Sequence, residues 1–227
     1  MVVGSGMLAK AFDHFRDDPS VIIFASGVSN SREDSEAAFD RERNLLASFS
    51  GTKAKLVYFS TISVEDPSLQ HSHYVKHKLA LEQFIEQHFT SWLIFRLPNL
   101  IGASRNPHTL ANFIYDRIRN GEPVPVYAGA SRFFMDVADV SDLLTPLIAD
   151  TTFMNRRENL FIPIRISIKD LVEIFENVLG KKAIIELKDA GSEYYPDSRF
   201  AEQWLNKKGF MRDKNYYTVV ISKYYPG

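Results

Sequence analysis

Tyr74 and Lys78 stand four residues apart in Tyr74-Val75-Lys76-His77-Lys78, shortly after Phe59-Ser60-Thr61-Ile62-Ser63 closes an apolar run. On a helix the i and i+4 positions share one face, so the ammonium can approach the phenol. A positive charge beside an acid lowers its pKa. A phenol brought closer to neutrality can give a proton to a carbonyl oxygen or take one from an alcohol. The Thr61 hydroxyl could hold that same oxygen. The chemistry this set suits is carbonyl–alcohol interconversion. Taken alone, the pair also describes a packed ring beside a solvated charge, so the surrounding segments must decide.

Those segments alternate between strand and helix. Met1-Val2-Val3 is a short strand that runs into Gly4-Ser5-Gly6-Met7-Leu8-Ala9 and a helix through about Phe15. This G-x-G-x-x-A at a strand-to-helix turn can bring backbone N–H groups to a pyrophosphate, or can simply make a tight turn. An apolar strand follows over Val21–Gly27, then a polar link and a helix from Ser35 to Phe49. Lys55–Ser60 is a buried-type strand ending at Thr61, and the helix of Tyr74 and Lys78 continues through Leu79, Leu81, Phe84 and Ile85. Trp92–Leu97 is another strand, Leu110–Asn120 a helix, Val124–Tyr127 a short strand, and Ile168 begins a helix ending near Gly180. Such alternation predicts an α/β protein built on a parallel, doubly wound sheet.

The 227 residues allow one substantial core, or a core with a small lobe. Hydrophobic residues make up 45% and charged residues 24%, as expected of a globular protein. A net charge of -1 gives no electrostatic basis for nucleic-acid or membrane partners. No apolar run reaches spanning length and no signal-peptide pattern opens the chain, so a cytoplasmic location is expected. The absence of cysteine excludes disulfides and thiolate chemistry.

Taken together, the motifs resemble the extended short-chain dehydrogenase/reductase superfamily, the NAD-dependent epimerase/dehydratase group that modifies nucleotide sugars. The glycine turn, the Val21 strand and the Ser/Thr–Tyr–Lys set occur in that family's order. Arg96-Leu97-Pro98-Asn99-Leu100-Ile101-Gly102 is similar to its R-x-x-N-x-x-G segment, and Arg132 to Val140 to its R-[DF]-[FY]-[IV]-x-V-x-D-[VL] stretch. Asp197-Ser198-Arg199 through Gly209-Phe210 resembles its closing segment. The resemblance implies that Thr61, Tyr74 and Lys78 are catalytic. It implies that Gly4, Gly6, Met7, Leu8, Ala25, Ser26, Ser60, Tyr74, Lys78 and Pro98 bind NAD or NADP. Thr61, Asn99 and Arg132 would hold the nucleotide-sugar substrate, Arg132 gripping its diphosphate with a guanidinium fork. The expected boundaries are residues 1–102 for a Rossmann-like core to which 133–164 return, with 103–132 and 165–227 forming a substrate lobe. A homodimer is compatible with this reading.

Two departures narrow it. Only a few polar residues separate the first helix from Val21, so the usual second and third strands are missing, and with them the residue that would distinguish NAD from NADP. Ile62-Ser63 replace the Asp-Glu pair that follows the threonine in dehydratases, leaving a 4-keto sugar reductase or an epimerase. The rival class is a non-catalytic NAD(P)-sensing protein on the same fold. His71, His73 and His77 are read as solvated or substrate-facing residues and not as metal ligands, and the charge run from Asp34 to Arg43 as the wet face of a helix.

Overall fold

The computed structural model describes residues 1–104, 106–191, 193–210, 213 and 215–226. Its main sheet contains β1 (Val2–Val3), β2 (Val21–Phe24), β3 (Lys55–Thr61), β4 (Trp92–Leu97) and, fifth, a strand at Arg156–Asn159. All neighbours run parallel, with Ile23 opposite Val57, Val57 opposite Leu93 and Phe95 opposite Glu158. Between them lie α1 (Met7–Ala11), α2 (Glu36–Ala47) and α3 (His73–His88). Every residue of β2 and β3 is buried, because helices cover both faces of a parallel sheet. The periodicity-two pattern divides them cleanly. Val57 and Phe59 face one core with Phe12 and Phe15, while Leu56 and Tyr58 face another with Leu46, Leu81 and Ile85.

The sheet matches the expected shortened Rossmann-like form: β1 pairs with β2 and, among the described residues, with no strand on its other side. The shortening leaves a trace in chirality. Leu8 and Ala11 of α1 pack on the Phe12 face, whereas Leu45 and Leu46 of α2 pack on the opposite one. Successive parallel strands step the same way along the sheet, so the connections through α1 and α2 have opposite hands. One of them departs from the right-handed rule that nearly all such crossovers obey. A helix on the α1 face leads with the usual hand toward the other side of β1, where the two missing strands would lie.

The rest of the chain forms a second lobe and a cap on the sheet. It contains β5 (Asn99–Ile101), α4 (Leu110–Asn120), β6 (Pro123–Tyr127), β7 (Ser131–Arg132), β8 (Phe134–Asp136), α5 (Val137–Ala149) and β9, the Arg156–Asn159 strand. After these come β10 (Ile166–Ser167), α6 (Ile168–Leu179), β11 (Ile184–Lys188), α7 (Arg199–Lys207) and α8 (Tyr216–Tyr224). One apolar cluster unites α4, β6, α6 and α8. Thr109 and Ser167 cap the starts of α4 and α6, and Gly121 and Gly180 end them in the left-handed conformation. α5 returns to the sheet through Val140, Leu143, Leu144 and Leu147. So does α7, which the sequence reading assigns to the lobe: Leu205 enters the sheet core and the Trp204 indole donates to Leu143 O at 3.0 Å.

Lys55, at the start of β3, is buried with its ammonium donating to Ile148 O (3.0 Å), Asp150 O (2.6 Å) and Phe153 O (3.2 Å). It thus closes the C-terminal end of α5. Lys55→Met should lower stability by about 1–3 kcal/mol, the cost of leaving buried acceptors unmatched, and chemical denaturation will read this directly.

Candidate functional site

The C-terminal ends of β1 to β4 meet along one edge of the sheet, the place where open α/β sheets bind ligands. Gly4 follows β1 with φ of 124°, and a Cβ there would lie 2.5 Å from Ala25 O. Only glycine lets the first turn approach the end of β2 this closely. Gly6 is the N-cap of α1 and offers no side-chain cap. Leu8 packs inward against the core, while the Met7 sulfur lies over Gly102. Ala25 donates its N–H to Val3 O at 2.8 Å and, like Ser26, is half-buried. Pro98 directly follows Leu97, which pairs in register with Thr61.

Thr61, Tyr74 and Lys78 do come together. Thr61 ends β3 and accepts from Ser63 N at 3.1 Å, with its hydroxyl close enough to the Tyr74 phenol to lower its pKa. The Lys78 ammonium lies 5.8 Å from the Tyr74 ring centre. Its direct bonds, however, go elsewhere: 2.9 Å to Glu42 Oε1 and 2.9 Å to the Tyr58 hydroxyl. Lys78 does lower the Tyr74 pKa, as expected, but it does not set the net direction. Burial of the phenol pushes it up, Lys78 pulls it down, Glu42 pushes it up again, and the Thr61 hydroxyl pulls it down, with a net rise.

Glu42 corrects a second expectation. It belongs to the segment read as a wet helix face, yet it is fully buried. Its Oε1 accepts from Lys78 and, at 2.9 Å, from the Tyr58 hydroxyl, while Oε2 accepts from Val28 N at 2.7 Å and His77 Nε2 at 2.9 Å. Four donors fill the acceptor capacity of a carboxylate. Burial alone would raise its pKa, but the Lys78 charge, the bonds from His77 and Val28 and the Lys78 bond outweigh it and hold the group at about 2. His77 was expected to be solvated or substrate-facing. It is instead buried, stacked on Phe39 with centroids 4.5 Å apart. A readable signal existed for Glu42: Phe39, Glu42 and Leu46 are the buried residues of α2 and share one helical stripe.

Ser60 points its hydroxyl away from the cleft, donating to buried Glu82 at 2.5 Å. Glu82 also takes two bonds from Arg96, at 2.9 and 2.6 Å. Arg96 reaches Glu65 at 3.0 Å as well, which locks β4 to α3 and to the turn after Thr61. On the lobe side, Asn99 Nδ2 donates to Phe133 O at 3.2 Å, and Arg132, next in the chain to Phe133, is half-buried with Nη1 on Ser131 O at 2.8 Å. Asn99 and Arg132 thus lie on neighbouring stretches. Tyr194, unnoticed in the sequence, joins this side to the threonine turn. It packs on Phe133 and has its phenol pushed up to about 12 by burial and Asp66 against the pull of nearby Ser63 and Arg132. A cavity of about 430 Å³ opens elsewhere, at the β9 edge, among Arg96, Arg157, Asn159 and Arg199.

Glu42 has a low folded-state pKa, so its stabilising effect is complete above its ordinary value of 4.5 and is lost as pH falls through about 2. Acid unfolding of the wild type should therefore steepen in that window. Glu42→Leu should abolish this component and cost about 3–5 kcal/mol at neutral pH, because Lys78 is left buried without its partner. Denaturation midpoints measured against pH will check both.

No family model matches the sequence, and no curated protein matches it. Solved structures do match in three dimensions. The UDP-glucose 4-epimerase of Thermus thermophilus, in complex with NAD, aligns over 96% of this chain and 79% of its own, with a TM-score of 0.68 and 20% identity. RMD from Pseudomonas aeruginosa complexed with NADPH aligns over 97% and 95%, with a TM-score of 0.73 and 16% identity. UDP-glucuronic acid 4-epimerase from Bacillus cereus, in complex with UDP-glucuronic acid and NAD, aligns over 95% and 77%, with a TM-score of 0.72 and 14% identity. The chain has the fold of these proteins.

Proposed function

We propose that this protein is an extended short-chain dehydrogenase/reductase that uses NAD or NADP to reduce a 4-keto nucleotide sugar. The observation that carries the reading is the meeting of Thr61, Tyr74 and Lys78 at the ligand-binding edge of the sheet. The fold neighbours support the ligand classes, since they were solved with NAD, NADPH and a UDP-sugar.

The cleft suits the nicotinamide and pyrophosphate end of such a cofactor. The Gly4 approach keeps the first turn free of side chains, so backbone groups of Gly4, Gly6, Met7 and Leu8 would face the pyrophosphate. A Cβ on Gly27 would lie 2.9 Å from Lys78 Nζ, so only a bare glycine lets the loop after β2 pack this closely on the ammonium. Lys78 spends two of its three N–H groups on Glu42 and Tyr58, and the third would serve a ribose hydroxyl. Ala25, Ser26 and Pro98 would border the rings, and Ser60 would contribute by its backbone alone. A bound reduced nicotinamide would supply the hydride. Tyr74 would then donate its proton to the carbonyl oxygen held by Thr61, while Asn99 and Arg132 would hold the nucleotide diphosphate.

A reductase is favoured over an epimerase by the bare edge of β1. An epimerase gains from a cofactor retained over many cycles, whereas a reductase must exchange it at each turnover. With no strand beyond β1 among the described residues, contacts to the adenosine end would be fewer, and lost contacts act chiefly on the dissociation rate. The test is stoichiometric consumption of added reduced nicotinamide with a 4-keto sugar nucleotide. Tightly retained cofactor, with turnover that needs no addition, would replace the reductase by the epimerase. Complete failure of dialysed protein to bind nicotinamide in calorimetry would favour the sensing or scaffold class.

Two substitutions test the residue roles. Tyr74→Phe should remove turnover while cofactor affinity stays within a few-fold, because the phenol transfers a proton and does not hold the cofactor. Arg132→Ala should weaken a nucleoside diphosphate sugar by about 2–4 kcal/mol and leave the free nucleoside unaffected. Equal losses for both ligands would make Arg132 structural.

A further inference from the structure

A fully buried carboxylate salt-bridged to the candidate catalytic lysine has no part in the chemistry so far. Glu42 comes from α2, on a different element from Tyr74, and bonds Lys78 at 2.9 Å. The two side chains are at most 3% exposed, so solvent screens their attraction little. Three further donors fix the carboxylate in place. The groups that act on the Tyr74 phenol among the described residues are Lys78 from its own helix, Glu42 from α2, Tyr58 from β3 and the Thr61 hydroxyl at the end of that strand. His77 reaches it only through Glu42. A lysine alone in this position would favour the phenolate, but the pair of Lys78 and Glu42 is neutral.

We propose that Glu42 is a positioning residue that neutralises Lys78 and so keeps Tyr74 a phenol, making the site a proton donor to carbonyls at neutral pH. This rests on Tyr74 being the proton-transfer group, and it deepens that reading by assigning a direction. Reduction consumes the phenol and proceeds without any change in its charge beforehand. The hydride goes to carbon, the phenolic proton goes to oxygen, and the phenolate left behind recovers a proton from solvent. Alcohol oxidation starts from the phenolate, so its rate should climb with pH across the neutral range. Burial is the largest cause of the upward shift of the Tyr74 phenol; within it Lys78 pulls down and Glu42 pushes back up, the direction this arrangement requires of the carboxylate. Gly27 belongs to the same device, because a Cβ there would lie 2.9 Å from both Glu42 Oε1 and Lys78 Nζ.

The experiment is a pH titration by carbon NMR of protein labelled at the tyrosine ζ-carbon, the Tyr74 signal being the one that Tyr74→Phe removes. It reads ionisation whether or not any keto sugar is turned over, so failure here is distinct from failure of the proposed activity. In the wild type the Tyr74 midpoint should lie above the ordinary value of 10.0. In Glu42→Gln it should fall by about 1–3 pH units, the effect expected of an unneutralised ammonium at this range. Adding Lys78→Met to Glu42→Gln should return it upward. An unmoved midpoint in folded Glu42→Gln overturns the proposal. Should Glu42→Gln not fold, the wild type decides, because a midpoint below 10.0 is incompatible with a neutralised lysine.

Discussion

The burial of one carboxylate governs how this site is assembled. Glu42 has no exposure to water, and a buried anion must find as many donors as it has lone pairs. It draws them from three segments: the loop after β2 through Val28, β3 through Tyr58, and α3 through His77 and Lys78. Satisfying that single group aligns α2 against α3 and sets the Lys78 ammonium beneath the Tyr74 ring. A purely apolar contact in its place would pack as well but would not choose a direction for the lysine, since hydrophobic contact is non-directional.

A second ionic cluster supports the same wall from behind. Glu82, one helical turn after Lys78, binds Ser60, Arg96 and Arg157. Arg96 then extends to Glu65 in the turn that begins at Thr61. The strand end carrying Thr61 is thus held twice on one face of the sheet, by Glu42 through Tyr58 and by Glu82 through Ser60. The lobe is clasped to the sheet with comparable economy. Asp136 caps α5 through Ala138 N and accepts from Lys223 and Tyr224 of α8, while Tyr216 accepts from Asp136 N and donates to Asp139. The candidate substrate-side and proton-transfer residues are therefore positioned by separate polar networks, linked through Tyr194 and the Ser63 turn.

The sheet shows what a parallel fold can lose. Among the described residues no strand lies beyond β1, yet α1 keeps the face that would lead to two more, so its connection to β2 and the one through α2 differ in hand. The apolar surface of α1 and the turn after it explains the retention. Leu8, Phe12 and Phe15 pack on Phe59, Val140 and Leu143, contacts on the α5 side of the sheet that do not depend on any strand beyond β1. Hydrophobic burial there outweighs the usual chiral preference of the crossover.

Local pattern by itself determined the order of elements up to Leu97, the buried strands around Ile23, Val57 and Ile94, the helices of Leu110–Asn120 and of Ile168 to near Gly180, and the candidacy of Thr61, Tyr74 and Lys78. These are readable because each depends on spacing within one segment or on one residue's conformational freedom. The packing of α7 on the sheet, the opposed hands of the first connections, and the turning of Ser60 toward Glu82 were decided only by tertiary structure. So was the electrical state of the site. A charged residue in a helix reads as solvated until its neighbours are known, and Glu42 is buried because Lys78, His77, Tyr58 and Val28 converge on it from segments up to 36 residues away. The sign of the Tyr74 shift follows first from burial of the phenol, which outweighs the pull of Lys78 and is reinforced by Glu42, and not from the Tyr–Lys spacing.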